Sequence, residues 1–260
     1  MRTLLPLALL ATVACGVDGA TANGQLGRMQ FSLTSDYYLD EHDITDNAIV
    51  TGHEQSFLVE LTGVGADDAG KEADEIEYVM VPDDGVTLNQ SGPDEDAGND
   101  DGNAENVYSF SVAVADPGEY QLEARLHGET FDRIDLTFDA PDALELALYT
   151  RDPYDTAFSR IDNDRTLPVE LGTQLAWLPI PIDNAGGRLL GTLAADMTAD
   201  PQASVVPAAN VDHVNEDEVE TFFGAPSLYF VEEGDVTVTL TDTANPAFGT
   251  ASFSVDAMSI

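Results

Sequence analysis

The chain has 260 residues, of which 49 are Asp or Glu and 9 are Lys or Arg, giving a formal net charge of −40. A negatively charged surface repels the phosphates of nucleic acids, so we expect no nucleic-acid partner. Hydrophobic residues make up 43% of the chain, which is enough for a packed core and excludes an acidic disordered protein.

The first 14 residues have the pattern of a secretory signal peptide, with Arg2 ahead of a short apolar run. Cys15 follows at once and is the only cysteine in the chain. With Ala14 before it, Cys15 resembles the lipobox cysteine of bacterial lipoproteins. The resemblance implies secretion across the inner membrane, cleavage before Cys15 and a lipid anchor on its thiol, which holds the protein to a membrane of the cell envelope, at the outer membrane or cell surface. The alternative is ordinary signal-peptidase cleavage after Ala22.

Residues 15–25 are predicted to form a flexible tether, because Gly, Ala, Thr, Asn and Asp dominate them. Beyond the tether, apolar side chains recur at every second position, which is the period of a strand with one buried face. Helical spacing is scarce, and residues 217–223 are the one ambiguous stretch. Short strands separated by Gly, Pro and Asp turns predict an all-β fold of the antiparallel sandwich type.

A second series of strands begins at Leu144, after a turn-forming segment at residues 139–142. The two halves also end alike, because a Gly-led turn at Gly118 and another at Gly234 each precede a strand, a hairpin and a closing strand. We therefore predict two tandem β-sandwich domains, at residues 26–140 and 141–260, each of ordinary size for such a domain.

Two segments of the second half carry a family resemblance. Residues 169–178, followed by the D-x-x-G turn at residues 183–186, resemble the first half of a bacterial immunoglobulin-like domain, and residues 233–240 resemble its penultimate strand. Residues 51–59 and 117–122 give weaker matches in the first half. The resemblance implies two immunoglobulin-like sandwiches and a role as a stalk, spacer or adhesive module on a cell surface.

Four residues within the predicted strands have specific expectations. Pro179 and Pro181 predict that their strand is at an edge or bulged, because neither can donate to a ladder. Trp177 is predicted to pack in the core, with a sugar-stacking platform as the alternative. Tyr120 is predicted to form a tyrosine corner, in which its hydroxyl bonds nearby backbone.

The densest acidic stretch, residues 94–103, is a candidate calcium site. Carboxylates are the hard oxygen ligands of which Ca²⁺ accepts about six to eight. The stretch fits no EF-hand register, so we expect a solvated acidic loop between strands, with a calcium site as the alternative. We expect no cofactor, with calcium as the one alternative. The candidate ligands are Asp94, Asp96, Asp100 and Asp101.

Motifs of catalysis are missing from the sequence. The four histidines form no H-x-x-x-H pair, residues 212–218 are expected to be a polar loop, and no G-x-S-x-G elbow or phosphate-binding glycine loop occurs. The sequence therefore predicts a non-enzymatic lipoprotein that acts as a structural or interaction module, with an unidentified protein or glycan as partner. The alternatives are a calcium-dependent adhesin or carbohydrate-binding module, and an enzyme or enzyme inhibitor.

The acidity also predicts a dependence on salt. Lys71 is the only lysine, so few cations offset the acidic groups within the chain. Salt shortens the reach of their mutual repulsion to about 3 Å at 1 M. We expect the fold to lose stability as salt is removed.

Overall fold

The computed structural model describes residues 28–34, 47–62, 76–93, 107–126, 128–153, 158–161, 166–193, 195–209, 211–214, 221–243 and 250–259. Within these residues the regular structure consists of nineteen β-strands and one short 3-10 turn at Gln202–Ser204. The predicted signal peptide and tether lie outside the described residues.

The first half of the chain forms two facing four-stranded sheets. The strands are β1 (Arg28–Leu33), β2 (Ile49–Val50), β3 (Glu54–Thr62), β4 (Ile76–Val81), β5 (Val86–Pro93), β6 (Val107–Val114), β7 (Gly118–Leu126) and β8 (Glu129–Asp139). One sheet has the order β1-β3-β6-β5 and the other the order β2-β8-β7-β4. This is the strand order of an immunoglobulin-type sandwich.

The second half repeats this arrangement with additions. Its strands are β9 (Ala143–Arg151), β10 (Ser159–Ile161), β11 (Leu167–Glu170), β12 (Gln174–Ile182), β13 (Ala195–Asp200), β14 (Val205–Pro207), β15 (Val211–Val214), β16 (Thr221–Ala225), β17 (Ser227–Phe230), β18 (Gly234–Asp242) and β19 (Thr250–Met258). One sheet has the order β10-β9-β12-β17-β14 and the other the order β11-β19-β18-β13. The β15–β16 hairpin is the main insertion. The prediction of two tandem immunoglobulin-like sandwiches is therefore confirmed.

The ladders between the described strands are antiparallel with one exception in each sandwich. The short strand β2 runs parallel to β8, and β11 runs parallel to β19. Each of these strands lies at the end of its sheet. The repetition of this unusual pairing shows that the two halves share one topology in detail.

An aromatic cluster fills the core of the first sandwich. Phe57 of β3 lies with its ring centroid 4.5 Å from that of Phe31 and 5.2 Å from that of Phe110. Tyr78 of the opposite sheet meets Phe110 edge-on at 4.6 Å. Such ring pairs contribute about 0.5–1.5 kcal/mol each beyond the area that they bury, and the Tyr78–Phe110 pair joins the two sheets.

The second sandwich departs from the predicted pattern of one buried and one exposed face. Residues 174–181 of β12 are all buried. Leu175 and Trp177 point into the core between the sheets, whereas Leu178 and Ile180 belong to a separate cluster on the outer face. That cluster includes Ala225 of β16, so the β15–β16 hairpin helps to cover the outer face. A strand buried on both sides reads as a continuous apolar run, which explains the sequence of β12.

The two prolines of β12 lie where the strand has one partner. Residues 174–176 pair with β17, but Pro179 and Pro181 pair with no named strand other than β9 among the described residues. The carbonyl oxygen of Pro181 also accepts a hydrogen bond of 2.8 Å from Leu189 N in the loop that follows β12. The prediction of an edge therefore holds for the second half of β12, while its first half is internal.

Trp177 is 4% exposed, which confirms core packing and excludes the sugar-stacking platform.

The tyrosine corner is confirmed. The Tyr120 hydroxyl donates a hydrogen bond of 2.9 Å to the backbone oxygen of Asp116, four residues upstream. Tyr120 lies near the start of β7, which is the strand expected for this motif. The predicted D-x-x-G turn also forms, because the Asp183 carboxylate accepts hydrogen bonds from the N–H groups of Ala185 and Gly187 at 2.8 and 2.7 Å.

Candidate functional site

The two sandwiches meet through a backbone pairing that the sequence did not predict. The loop between β12 and β13 reaches the outer edge of β2, where the N–H of Val50 donates to Leu190 O at 2.9 Å and the N–H of Leu190 donates to Ala48 O at 2.8 Å. Ile49 and Leu190 thus form a parallel bridge. The second sandwich in this way extends a sheet of the first. We call residues 48–55, residues 187–193 and Asp242 the joint.

Gln55 fixes this loop with its side chain. Its amide nitrogen donates to Thr192 O and its amide oxygen accepts from Thr192 N, both at 3.0 Å. Gln55 is wholly buried, so both polar ends of its amide need partners and find them in one residue. Gly191 permits this approach, because a Cβ atom there would stand 2.4 Å from the Gln55 amide oxygen. Its φ of +99° also favours glycine.

A second contact links the sandwiches through His53 and Asp242. The His53 Nε2 atom and a carboxylate oxygen of Asp242 are 3.0 Å apart. The two side chains are 4% and 0% exposed. A charged or polar pair removed from water to this extent is strongly destabilised when one partner is lost, so it fixes the position of β18 against the start of β3.

Apolar contacts complete the joint. Val50 packs in a small cluster with Leu189 and Leu193, and Ala48 and Leu144 lie against it. Leu190 itself belongs to the core cluster of the first sandwich. Burial of a Leu or Val side chain contributes about 1.5–3 kcal/mol, so the loop is held by its side chains as well as by its backbone.

A cleft of about 270 Å³ opens at the joint, with His53, Asp242, Thr51, Pro117 and Pro141 among its lining residues. Pockets that enclose organic ligands measure about 300–1,000 Å³, so the cleft is small for a substrate site. It marks the seam between two packed domains, with the buried His53–Asp242 pair along one wall.

The residues predicted to bind lipid or calcium cannot be placed in this geometry. Cys15 and the four acidic residues of the predicted calcium site (Asp94, Asp96, Asp100 and Asp101) lie outside the described residues. Among the residues that the structure describes, no three His, Cys, Asp or Glu side chains are grouped so as to hold a metal ion. In the same part of the chain, no helix is long and apolar enough to cross a bilayer.

One prediction about a polar loop was wrong in part. Residues 211–214, which include His213, form strand β15, and residues 221–225 form its partner β16. Residues 217–223 had an ambiguous pattern in the sequence, and the last three of them, 221–223, lie in strand β16. The remaining residues of the predicted loop, 215–218, lie outside the described part of the chain.

The joint residues carried only weak signals in the sequence. An apolar Leu189-Leu190 pair inside a Gly-rich loop is unusual, because loops at a free surface are commonly polar. Gln55 and His53 gave no signal, since their partners lie 137 and 189 residues later in the chain.

Comparisons with known proteins give only distant likenesses. No family model matches the chain, and no curated protein sequence matches it. The FdeC adhesin of Escherichia coli is 13% identical with a TM-score of 0.30, over 93% of this chain and 66% of that one. Domains 5–6 of the S-layer protein SbsC are 13% identical with a TM-score of 0.29, over 82% and 94%. The C-terminal domain of Streptococcus agalactiae BspA is 11% identical with a TM-score of 0.29, over 88% and 99%. Likeness at this level establishes no shared function, so the fold assignment rests on the strand order.

Proposed function

We propose that the protein is a non-enzymatic lipoprotein of the cell envelope, in which two sandwiches form a stiff structural or interaction module. Cys15 would carry the lipid, residues 15–25 would act as the tether, and residues 26–140 and 141–260 would be the two domains. The observation that supports this most is the joint. Its contacts serve to hold two domains in one orientation rather than to surround a substrate.

The joint restricts bending because its contacts are of different kinds and lie at several points. A parallel backbone bridge at Leu190, the Gln55 amide and the His53–Asp242 pair must all break before the domains can rotate. Domain interfaces without such contacts commonly permit relative motion. A stiff pair of domains suits a spacer, which must hold a binding surface away from the membrane.

Small-angle X-ray scattering tests the stiffness. We expect the scattering of the chain to fit one two-domain conformation, and the Leu190→Asp variant, which places a charge in the joint, to show a broader distribution of dimensions. The matched control is Val206→Asp, because Val206 is 47% exposed and lies away from the joint. A broad distribution for the unmodified chain would contradict the stiff module.

Lipid attachment needs a separate experiment. Cells that express the chain are fed a labelled fatty acid, and the purified protein is analysed by mass spectrometry. We expect label on a peptide that begins at Cys15 and none on the Cys15→Ser variant. A secreted chain that begins after Ala22 and contains no lipid would contradict the anchor and leave the two-domain module untouched.

The calcium proposal concerns Asp94, Asp96, Asp100 and Asp101. Thermal unfolding is followed in chelator, in Ca²⁺ and in Mg²⁺ at equal high ionic strength. A ligand at one hundred times its Kd stabilises the folded state by about 2.7 kcal/mol. A rise in Tm with Ca²⁺ alone, lost when these four residues are changed to Asn, would support a calcium-dependent adhesin. Equal Tm values in all three solutions would contradict it.

A further inference from the structure

Strand β11 occupies in the second sandwich the place that β2 occupies in the first. In β11, Val169 pairs with Ala257 of β19, just as Ile49 of β2 pairs with Phe138 of β8. A glycine with a positive φ follows soon after each short strand, with +79° at Gly52 and +89° at Gly172. The hydrogen bonds after the two short strands also correspond, at 2.8–2.9 Å. In the first sandwich, Thr51 N donates to Asp139 O and Gly52 N donates to Val114 O. In the second, Leu171 N donates to Met258 O and Gly172 N donates to Phe230 O.

In the first sandwich the outer edge of the short strand β2 pairs with Leu190. Leu190 receives the N–H of Val50 and donates to the C=O of Ala48. The corresponding groups of β11 are the N–H of Glu170 and the C=O of Pro168. The backbone N–H groups of successive residues in a strand point in opposite directions. Because the N–H of Leu171 donates to Met258 of β19, the N–H of Glu170 points away from β19.

The outer edge of β11 has no strand beside it in the part of the chain that the structure describes. Proline at position 168 is compatible with pairing there. In the first sandwich the incoming segment uses only the C=O of Ala48, and proline retains that group. The edge therefore offers one donor and one acceptor at the same spacing as the edge that Leu190 covers.

Exposed apolar side chains lie beside this edge. The Leu171–Met258 and Gly172–Phe230 hydrogen bonds bring the end of β19 and the residue after β17 next to β11. There, Met258 is 38% exposed and Val231 is 46% exposed, and they are two of four large hydrophobic residues so exposed in the described chain. The corresponding end of the first sandwich is the one that faces the joint.

The charge beside the edge differs from that of the joint. Glu170 stands where the first sandwich has Val50, which packs against Leu189 of the incoming loop. Glu232 and Glu233 are exposed nearby, next to Val231. A segment that pairs with β11 therefore meets carboxylates where the joint has apolar contacts, and a cationic side chain suits that position.

We propose that the outer edge of β11 binds an extended segment of a different protein, in parallel pairing, with a Lys or Arg next to Glu170 and apolar residues near Val231 and Met258. A second copy of this chain does not fit, because its own Leu190 segment is engaged in its joint and its charge of −40 repels another copy. Strand addition to a free edge supplies affinity through the backbone and specificity through such side chains. The proposal goes beyond the spacer role and is independent of the lipid anchor.

The test uses two fluorescent peptides and the full chain. One peptide has the sequence of residues 186–193, Gly-Gly-Arg-Leu-Leu-Gly-Thr-Leu, and the other carries Leu189→Lys. Binding is followed by fluorescence anisotropy at low and at high salt. We expect the Leu189→Lys peptide to bind at least 3-fold more tightly at low salt, with the difference lost at 1 M NaCl. Hydrogen exchange should slow in residues 167–172 when peptide is bound.

Two variants at one position separate the backbone from the charge. Glu170→Pro removes the N–H donor and should weaken both peptides at least 10-fold, whereas Glu170→Gln keeps the donor and should only remove the preference for lysine. Equal binding to Glu170→Pro and the unmodified chain, or exchange protection elsewhere than residues 167–172, would overturn the proposal. If Glu170→Pro fails to fold, the exchange footprint on the unmodified chain still decides.

Discussion

The side-chain amide of Gln55 and the peptide groups of Thr192 form two hydrogen bonds of 3.0 Å between residues 137 positions apart in the chain. The pair links β3 of the first sandwich to the loop between β12 and β13 of the second. Because the amide is wholly buried, its two bonds replace water at both ends. The geometry depends on the residue beside Thr192.

Gly191→Ala should destabilise the chain by about 2 kcal/mol or more. The added Cβ would stand 2.4 Å from the Gln55 amide oxygen, and a φ of +99° strains any side chain. Urea unfolding measures the change. Gly186→Ala is the matched control, because its φ is +85° but nothing lies within 4 Å of its Cβ, so it should cost only about 1 kcal/mol. Equal losses would show that the contact with Gln55 is unimportant.

His53→Ala and Asp242→Ala should each cost about 3 kcal/mol, since each breaks the buried contact between the two side chains. Because the two residues share one contact, the double variant should lose less than the sum of the single losses. A double-mutant cycle by urea unfolding measures this coupling, which we expect to exceed about 1 kcal/mol. Strictly additive losses would mean that the two residues do not interact.

Removal of the hydroxyl group should have different effects on the stability of the fold at two tyrosines of the first sandwich. Tyr120→Phe removes the bond to Asp116 O and should cost about 1 kcal/mol. The buried Tyr78 hydroxyl bonds to none of the described residues, so Tyr78→Phe should be neutral or stabilising. Thermal or urea unfolding compares them directly. A larger loss for Tyr78→Phe than for Tyr120→Phe would refute the expected order.

Tyr78 should also weaken the fold at alkaline pH. Burial, and secondarily the neighbouring Tyr108, raise its pKa well above the usual value of about 10. The unfolded chain then releases this proton first, so the stability from Tyr78 is complete below about pH 10 and declines above it. We expect Tyr78→Phe to retain more stability than the unmodified chain between about pH 10 and 12. Parallel losses in the two proteins would contradict this.

Removal of salt should lower the Tm, because the −40 charge repels itself more strongly when it is less screened. Differential scanning calorimetry in 0.05 to 2 M NaCl measures the trend. Repeating the series with a sugar osmolyte at constant low salt separates screening from a general effect of cosolute. A Tm that is constant across the NaCl series would contradict the predicted dependence.

The sequence predicted features that depend on neighbours along the chain. The period-two alternation that predicted an all-β fold runs through β3, β6 and β7, and the Gly-led turns at Gly118 and Gly234 predicted that the two halves end alike. Tyr120 and the Asp183 turn were predicted because their partners are within four residues. These features follow from local geometry, which a single sequence displays.

Features that depend on distant partners were missed. Strand β2 has two residues, too few to show a period, and exists because β8 and Leu190 pair with it. Strand β5 shows only a weak strand pattern in the sequence, because it is largely polar and, among the described strands, pairs only with β6 at the end of its sheet. The joint was beyond prediction for the same reason, since His53 and Asp242 are related only by the folded structure.

The distance along the chain between Val50 and Leu190 also has a consequence for biosynthesis. Polypeptides emerge N-terminus first at about 5–20 residues per second, so about 7 to 28 seconds separate the appearance of β2 from that of the loop that covers it. During this interval the first sandwich can pair its own strands, but Leu190 and Thr192, which bond to the outer edge of β2 and to Gln55, are not yet synthesised. The nascent protein therefore passes through a stage in which an unpaired edge is open to other chains, and the arrival of Leu190 ends that exposure.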